Sequence, residues 1–166
     1  MAENKVKYPF IPKGETILYV DEHDEFMKAA KKYALHNSLD KTVPTGSVIV
    51  LNGEIIGKGA NGSDYHEKFG CERVKKNIPT GQRYELCEGC HPKNHSEPRA
   101  IVDALHNHPK KDLSKASLYL WGHWWACEPC WNAIMGAGIK KVYLEKDSHK
   151  RYNKEHPENI IGKQFA

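Results

Sequence analysis

The stretch that decides the fold runs from residue 95 to residue 144. It reads HSEPRAIVDAL (95–105), SLYLW (117–121), CEPCWNAIMGA (127–137) and IKKVYL (139–144), with polar connections between. Pro98 suits a first helical turn, where a missing N–H costs nothing, and Ile101, Ala104 and Leu105 share one helical face. Ser117 to Trp121 reads as a buried strand. Cys127 to Ala137 reads as a helix ended by Gly136 and Gly138, and Ile139 to Leu144 as a further strand. Strand, helix and strand in that order imply a parallel crossover, and therefore an α/β sandwich.

Towards the N-terminus, Ser47 to Leu51, Asn52-Gly53 and Glu54 to Lys58 read as a hairpin, because Asn-Gly suits the positive φ angles of a type I′ turn. Pro44 and Gly46 mark the turn before it. Phe26, Ala29, Ala30, Tyr33 and Ala34 follow helical spacing, so a helix is expected from about 22 to 36 with Asp21 as its N-cap. Residues 1–20 form an arm broken by Pro9, Pro12 and Gly14, with Ile17 to Val20 as a docking or strand segment. Residues 60–94 carry Gly, Pro, Lys and Cys without any period. A structureless loop of that length is unusual inside a domain, so something must tie this Cys-bearing insertion down. The 146–166 tail is polar, with Ile160, Ile161 and Phe165 able to dock.

The 166 residues are expected to form one domain spanning 1–166, and a hydrophobic share of 39% can build one core. A formal charge of +4 suits a small anionic substrate and is too weak to argue for wrapping DNA. Lys31-Lys32 and Lys110-Lys111 are read as solvated faces. No apolar run is longer than Val48 to Leu51, which falls far short of the ~20 residues a membrane-spanning helix needs. MAENKVKYPF contains no stretch resembling a signal peptide. Five cysteines, an odd number, include two C-x-x-C pairs. That pattern points to a reduced, cytoplasmic, metal-binding chain rather than a disulfide framework.

The chemistry concentrates in His95-Ser96-Glu97, followed after 29 residues by Cys127-Glu128-Pro129-Cys130. Cysteines three apart in the first turn of a helix point to the same side, and the positive helix end favours their thiolates. With His95 they make three protein ligands, leaving a fourth tetrahedral position for water, as in catalytic zinc sites. Zinc so placed lowers the pKa of a water from about 16 to about 7. Glu97, two residues from a ligand, is positioned to move that water's proton.

These residues resemble the cytidine and deoxycytidylate deaminase superfamily, whose signature is H-x-E with P-C-x-x-C. The resemblance covers roughly Ser47 to Leu144. It implies a three-layer α/β/α sandwich around a mixed five-stranded sheet, zinc on His95, Cys127 and Cys130, and Glu97 as proton shuttle. It also implies that Asn61, in Gly59-Ala60-Asn61-Gly62, contacts the nucleotide sugar. Among the branches the chain is most similar to deoxycytidylate deaminases, which carry an Asn-Gly here and a Cys/His-bearing insertion before H-x-E. The expected reaction is hydrolysis of dCMP to dUMP with release of ammonia, by a homo-oligomer acting on a small-molecule nucleotide. The chain departs from the pattern at Ala126, where Pro is usual, at Pro98-Arg99, and at His123-Trp124-Trp125. These departures leave base and sugar selection open, so single-stranded nucleic acid, guanine or a modified pyrimidine stay as alternative substrates.

Other readings stand beside these. His95, Cys127 and Cys130 could belong to a closed structural zinc, with His123 the nearby candidate for a fourth ligand; the protein would then be a non-catalytic two-zinc module. Arg99 is a candidate for a substrate phosphate. Trp121, Trp125 and Trp131 are expected in the core or a subunit interface, while Trp124, three before Cys127, is a candidate base-stacking residue. Cys71, Cys87 and Cys90, with His66 or His91, form a second candidate metal set, which would order residues 60–94 through metal binding.

Overall fold

The computed structural model describes residues 10–78 and 83–164. Pro9 in the arm and Phe165 in the tail lie outside the described residues. Five strands, β1 (Thr16–Val20), β2 (Gly46–Leu51), β3 (Glu54–Ala60), β4 (Ser117–Trp121) and β5 (Lys141–Glu145), form one sheet in the order β1-β5-β4-β2-β3. β1 and β4 run parallel to β5, whereas β2 pairs antiparallel with both β3 and β4. The sheet is therefore mixed. The crossover between β4 and β5 is helix α5 (Glu128–Gly136), as the spacing predicts.

β2 explains the layering. Its residues are buried on both faces: Val48 and Val50 meet α1 (Glu25–Asn37), whereas Ile49 and Leu51 meet α4 (Ser96–Asn107) and α5. Two apolar clusters result, one on each side of the sheet. Met27, Ala30 and Ala34 of α1 fill the first; Ala100, Ile101, Ala104, Trp131 and Ile134 fill the second. This is a three-layer α/β/α sandwich. Among the described residues no helix is long and apolar enough to cross a membrane.

Several element boundaries differ from the sequence expectation. Asp24, not Asp21, caps α1: its Oδ1 accepts from the N–H groups of Phe26 and Met27, each at 3.0 Å. Asp21 instead holds the turn before it through the His23 N–H. Cys127 caps α5 rather than lying inside it, and β5 begins at Lys141 rather than Ile139, since Ile139 closes the turn by donating to Ile134 O. The expected arm contributes β1, an edge strand. Asn52-Gly53 makes the hairpin turn with φ of 53° and 76°. Leu105 does not join the buried face of α4 and is half exposed. The face that meets β3 is built from small groups, and it carries Ser96, Ala100 and Ala104 rather than Leu105.

That close contact fixes the site. A Cβ on Gly59 would lie 2.3 Å from Ser96 O and 2.4 Å from Ala100 N, both backbone atoms of the first turns of α4. Gly59→Ala must push α4 off the sheet, and overpacking of this kind costs about 1–3 kcal/mol. A matching fall in the urea midpoint is expected, with a fall in zinc affinity, because His95 and Glu97 move with the helix; an unchanged midpoint would contradict it.

Candidate active site

Helices α4 and α5 aim their N-termini at one point. His95 is the N-cap of α4 and Cys127 the N-cap of α5, while Cys130 and Glu97 lie in the first turns. Pro98 and Pro129 fit there because first-turn N–H groups lack helical partners anyway. The His95 imidazole makes no capping bond to α4, and it meets the Cys127 thiol across the gap between the two helix starts. His95 Nδ1 lies 3.2 Å from Cys130 Sγ and 3.4 Å from Cys127 Sγ, and the two sulfurs are 3.2 Å apart. A tetrahedral zinc with Zn–S of ~2.3 Å and Zn–N of ~2.0 Å needs the sulfurs about 3.8 Å apart and each about 3.5 Å from the nitrogen, so small adjustments complete the triangle.

The electrostatics suit a divalent cation. Contact with the Cys130 thiol, helped by His95 and opposed by burial, brings Cys127 down to about 5. The same contact, with burial, pushes Cys130 well up. Two adjacent thiols cannot both ionise unaided, so the pair carries one negative charge until a cation lets both ionise. Zinc with two thiolates and a neutral imidazole is electroneutral, which suits a pocket where both sulfurs are buried. His123 is not a fourth ligand: it lies outside the triangle, and its Nδ1 accepts from the N–H groups of Trp124 and Trp125. Burial, then nearby His95, pushes His123 down to about 4. Among the described residues the triangle thus has three metal-binding side chains, His95, Cys127 and Cys130.

Glu97 is buried beside this triangle, with its carboxyl near the Cys130 thiol. Burial pushes the carboxyl up, against the opposing charge of His95. Ser96 Oγ donates to Glu97 Oε2 at 3.2 Å, and Ser47 Oγ of β2 lies 2.8 Å from Ser96 Oγ. Sequence reading missed this hydroxyl pair. Its signal was available: Ser47 is a polar residue opening an otherwise apolar strand, and Ser96 sits between two site residues.

The remaining candidates are placed as follows. Asn61 ties the 38–45 loop to the sheet: Oδ1 accepts from Thr45 N at 2.8 Å and Ser38 Oγ at 2.6 Å, and Nδ2 donates to Val43 O at 2.9 Å. Asn61→Ala strands a backbone donor and an acceptor, and a loss of about 1–3 kcal/mol is expected in denaturant unfolding. A neutral result would mean that water replaces the amide. Arg99 donates to Ala60 O and Asn94 Oδ1, and with Ser63, Tyr65, Lys68 and Asn94 it lines a cavity of about 410 Å³. His95, Glu97 and the cysteines do not line that cavity. Trp121, Trp125 and Trp131 are core residues; Trp124 is half-buried, packed against both clusters.

In the insertion, His66, Cys71, Cys87 and Cys90 come together, with their ligand atoms all within 4.8 Å of one another. His91 does not join them. Its Nδ1 accepts from Lys93 N, capping the short turn that leads to His95, so the ring is committed elsewhere.

A family model, the cytidine and deoxycytidylate deaminase zinc-binding region, matches residues 20–146. The chain belongs to this deaminase family. Zinc is accordingly the metal of the family, and the His/Cys/Cys triangle is a donor set that fits it. Solved structures similar to this deaminase include the dCMP deaminase of cyanophage S-TIM5, 24% identical, with 78% of this chain and 87% of that one covered and a TM-score of 0.47. Guanine deaminase from Bacillus subtilis is 23% identical, with 84% and 82% covered and a TM-score of 0.48. A tRNA:A34 deaminase acting at the tRNA wobble position is 24% identical, with 75% and 78% covered and a TM-score of 0.48. A search of curated proteins finds no match.

Proposed function

We propose that this single-domain deaminase hydrolyses a cytosine nucleotide, dCMP to dUMP, releasing ammonia, with zinc held by His95, Cys127 and Cys130. The observation that carries the reading is a buried carboxyl, Glu97, beside the clustered donor atoms of His95, Cys127 and Cys130, three ligands that would leave a fourth zinc position to water. When bound, zinc supplies Lewis acidity, which makes a water nucleophilic near neutral pH. The chain's own residues do the rest. Glu97 accepts a proton from the attacking water and delivers it to ring nitrogen N3 as C4 is attacked. It then helps move the second proton to the leaving amine, so the C4–N bond breaks, ammonia departs and C4 becomes a carbonyl. The Ser47–Ser96 pair orients the carboxyl.

A nucleotide rather than a nucleoside is supported by Arg99 in the wall of the neighbouring cavity, whose other charged lining residues are Lys68, Asp64 and Glu88. Arg99 uses two of a guanidinium's five donors on Ala60 O and Asn94 Oδ1. Its remaining donors offer contacts to a phosphate, whereas Lys68 is paired with Asp64 at 2.6 Å. The test is an ultraviolet assay over dCMP, deoxycytidine, guanine and a cytosine-bearing oligonucleotide, with a chelator control. Turnover of dCMP well above deoxycytidine is expected. Deamination confined to guanine or to the oligonucleotide would overturn the substrate assignment.

A further inference from the structure

Residues 63–78 and 83–94 pack with almost no core of their own. Between them, among the described residues, Cys87 is the only buried apolar side chain, while Phe69 and Val74 are exposed. Helices α2 (Tyr65–Phe69) and α3 (Glu72–Lys75) are too short to stand alone. What converges in this segment instead is a donor set. His66 Nε2 lies 3.3 Å from Cys87 Sγ and 3.5 Å from Cys90 Sγ, and Cys71 Sγ lies 3.4 Å from Cys90 Sγ. All three cysteines are free thiols.

The surroundings are shaped for these donors. A Cβ on Gly89 would lie 2.4 Å from the His66 ring, so glycine within Cys87-Glu88-Gly89-Cys90 is what lets the imidazole reach the sulfurs. The turn is closed by Cys90 N donating to Cys87 O. Arg73 is buried and donates through Nη1 to Cys90 Sγ at 3.4 Å. Three thiolates, one imidazole and a zinc ion sum to a single negative charge, which that guanidinium balances. We propose that His66, Cys71, Cys87 and Cys90 bind a second zinc ion in a closed, four-ligand site, and that this ion holds Tyr84 against His95.

The link to His95 is short. The Arg73 guanidinium lies 4.5 Å from the Tyr84 ring, and Tyr84 meets the His95 imidazole edge-on with centroids 5.0 Å apart. Asn94, next to His95, donates to Glu88 O at 2.8 Å, fastening the Cys87–Cys90 turn to the start of α4. Four protein donors leave no corner for water, so this site is structural and Tyr84 is a positioning residue. The second site rests on its own donors; only the role of Tyr84 leans on the function proposed above.

The test is zinc content of the full chain, purified without chelator. The wild type is expected to hold two zinc ions per chain, and Cys87→Ser and Cys127→Ser one each. His66→Cys should keep two, because a thiolate replaces the imidazole. Gly89→Ala, which leaves every ligand in place, should release one zinc to a chromophoric chelator at least about 10-fold faster by crowding His66. Cobalt in Cys127→Ser should give a tetrahedral thiolate spectrum unmoved by added azide, since no position is open. For Tyr84, Tyr84→Phe should preserve kcat and Tyr84→Ala lower kcat more than KM. One zinc per wild-type chain, lost in Cys127→Ser but kept in Cys87→Ser, would overturn the proposal, as would a Cys71–Cys90 disulfide. Two zinc ions in a protein inactive on every base would refute the catalytic reading alone.

Discussion

Glu97→Gln is expected to lower turnover by about 10²- to 10⁴-fold, the range typical of a positioned general acid–base group, while zinc content stays at the wild-type level. The two readouts separate because of where the residues sit. His95 is the cap of α4 and Cys127 the cap of α5, so the donors are fixed by helix starts whose backbone the Glu97→Gln change leaves in place. Gln keeps the volume of the buried side chain and can still accept from Ser96 Oγ, so packing is preserved. It cannot take up a proton. KM should therefore change little compared with kcat, and the pH–rate profile should lose the limb belonging to the carboxyl. Metal analysis beside a kcat determination checks this. Parent-rate turnover would remove Glu97 from the mechanism, and loss of zinc would make it part of the metal site.

Exhaustive chelation is expected to reduce activity to below about 10⁻⁴ of the loaded enzyme, with recovery on adding zinc alone. Acidifying a water from about 16 to about 7 is worth roughly 12 kcal/mol, and no side chain at the site replaces more than a fraction of that. Cys130→Ala should behave like the chelated protein but without recovery. It removes a fully buried sulfur and leaves one thiolate and an imidazole, too little charge for a desolvated divalent cation. Metal binding also requires deprotonated thiols, so zinc should leave as pH falls. Because the triangle exists only in the folded chain, a zinc concentration 1,000-fold above its Kd adds about 4 kcal/mol of stability. Thermal unfolding with and without zinc measures that increment; identical curves would argue against metal bound between α4 and α5.

The two clusters of candidate metal donors differ in how legible they were. The triangle could be read residue by residue, because each member occupies a place that local rules define: a cap, a first turn, a C-x-x-C step. Glu97 followed from its spacing to His95. The second cluster was legible only as a composition, three cysteines with a choice of histidines. The choice falls to His66 because Gly89 makes room for its ring, while His91 spends its Nδ1 on Lys93 N. Tyr84 carried no signal at all, since its role depends on a segment without period folding back over His95.

By itself the sequence determined the periodic elements, the Asn-Gly hairpin, the crossover from β4 to β5 and the donors at the helix starts. Each of these is set by interactions within a few residues, through pleat, helical spacing or capping. Tertiary structure alone decided the partners of Asn61, the exposure of Leu105, the Ser47–Ser96 contact and the placing of His66 rather than His91. These depend on which surfaces meet across the sheet or across the insertion. Contacts between residues dozens of positions apart are fixed by packing and by unpaired polar groups finding partners, and local patterning carries no record of them.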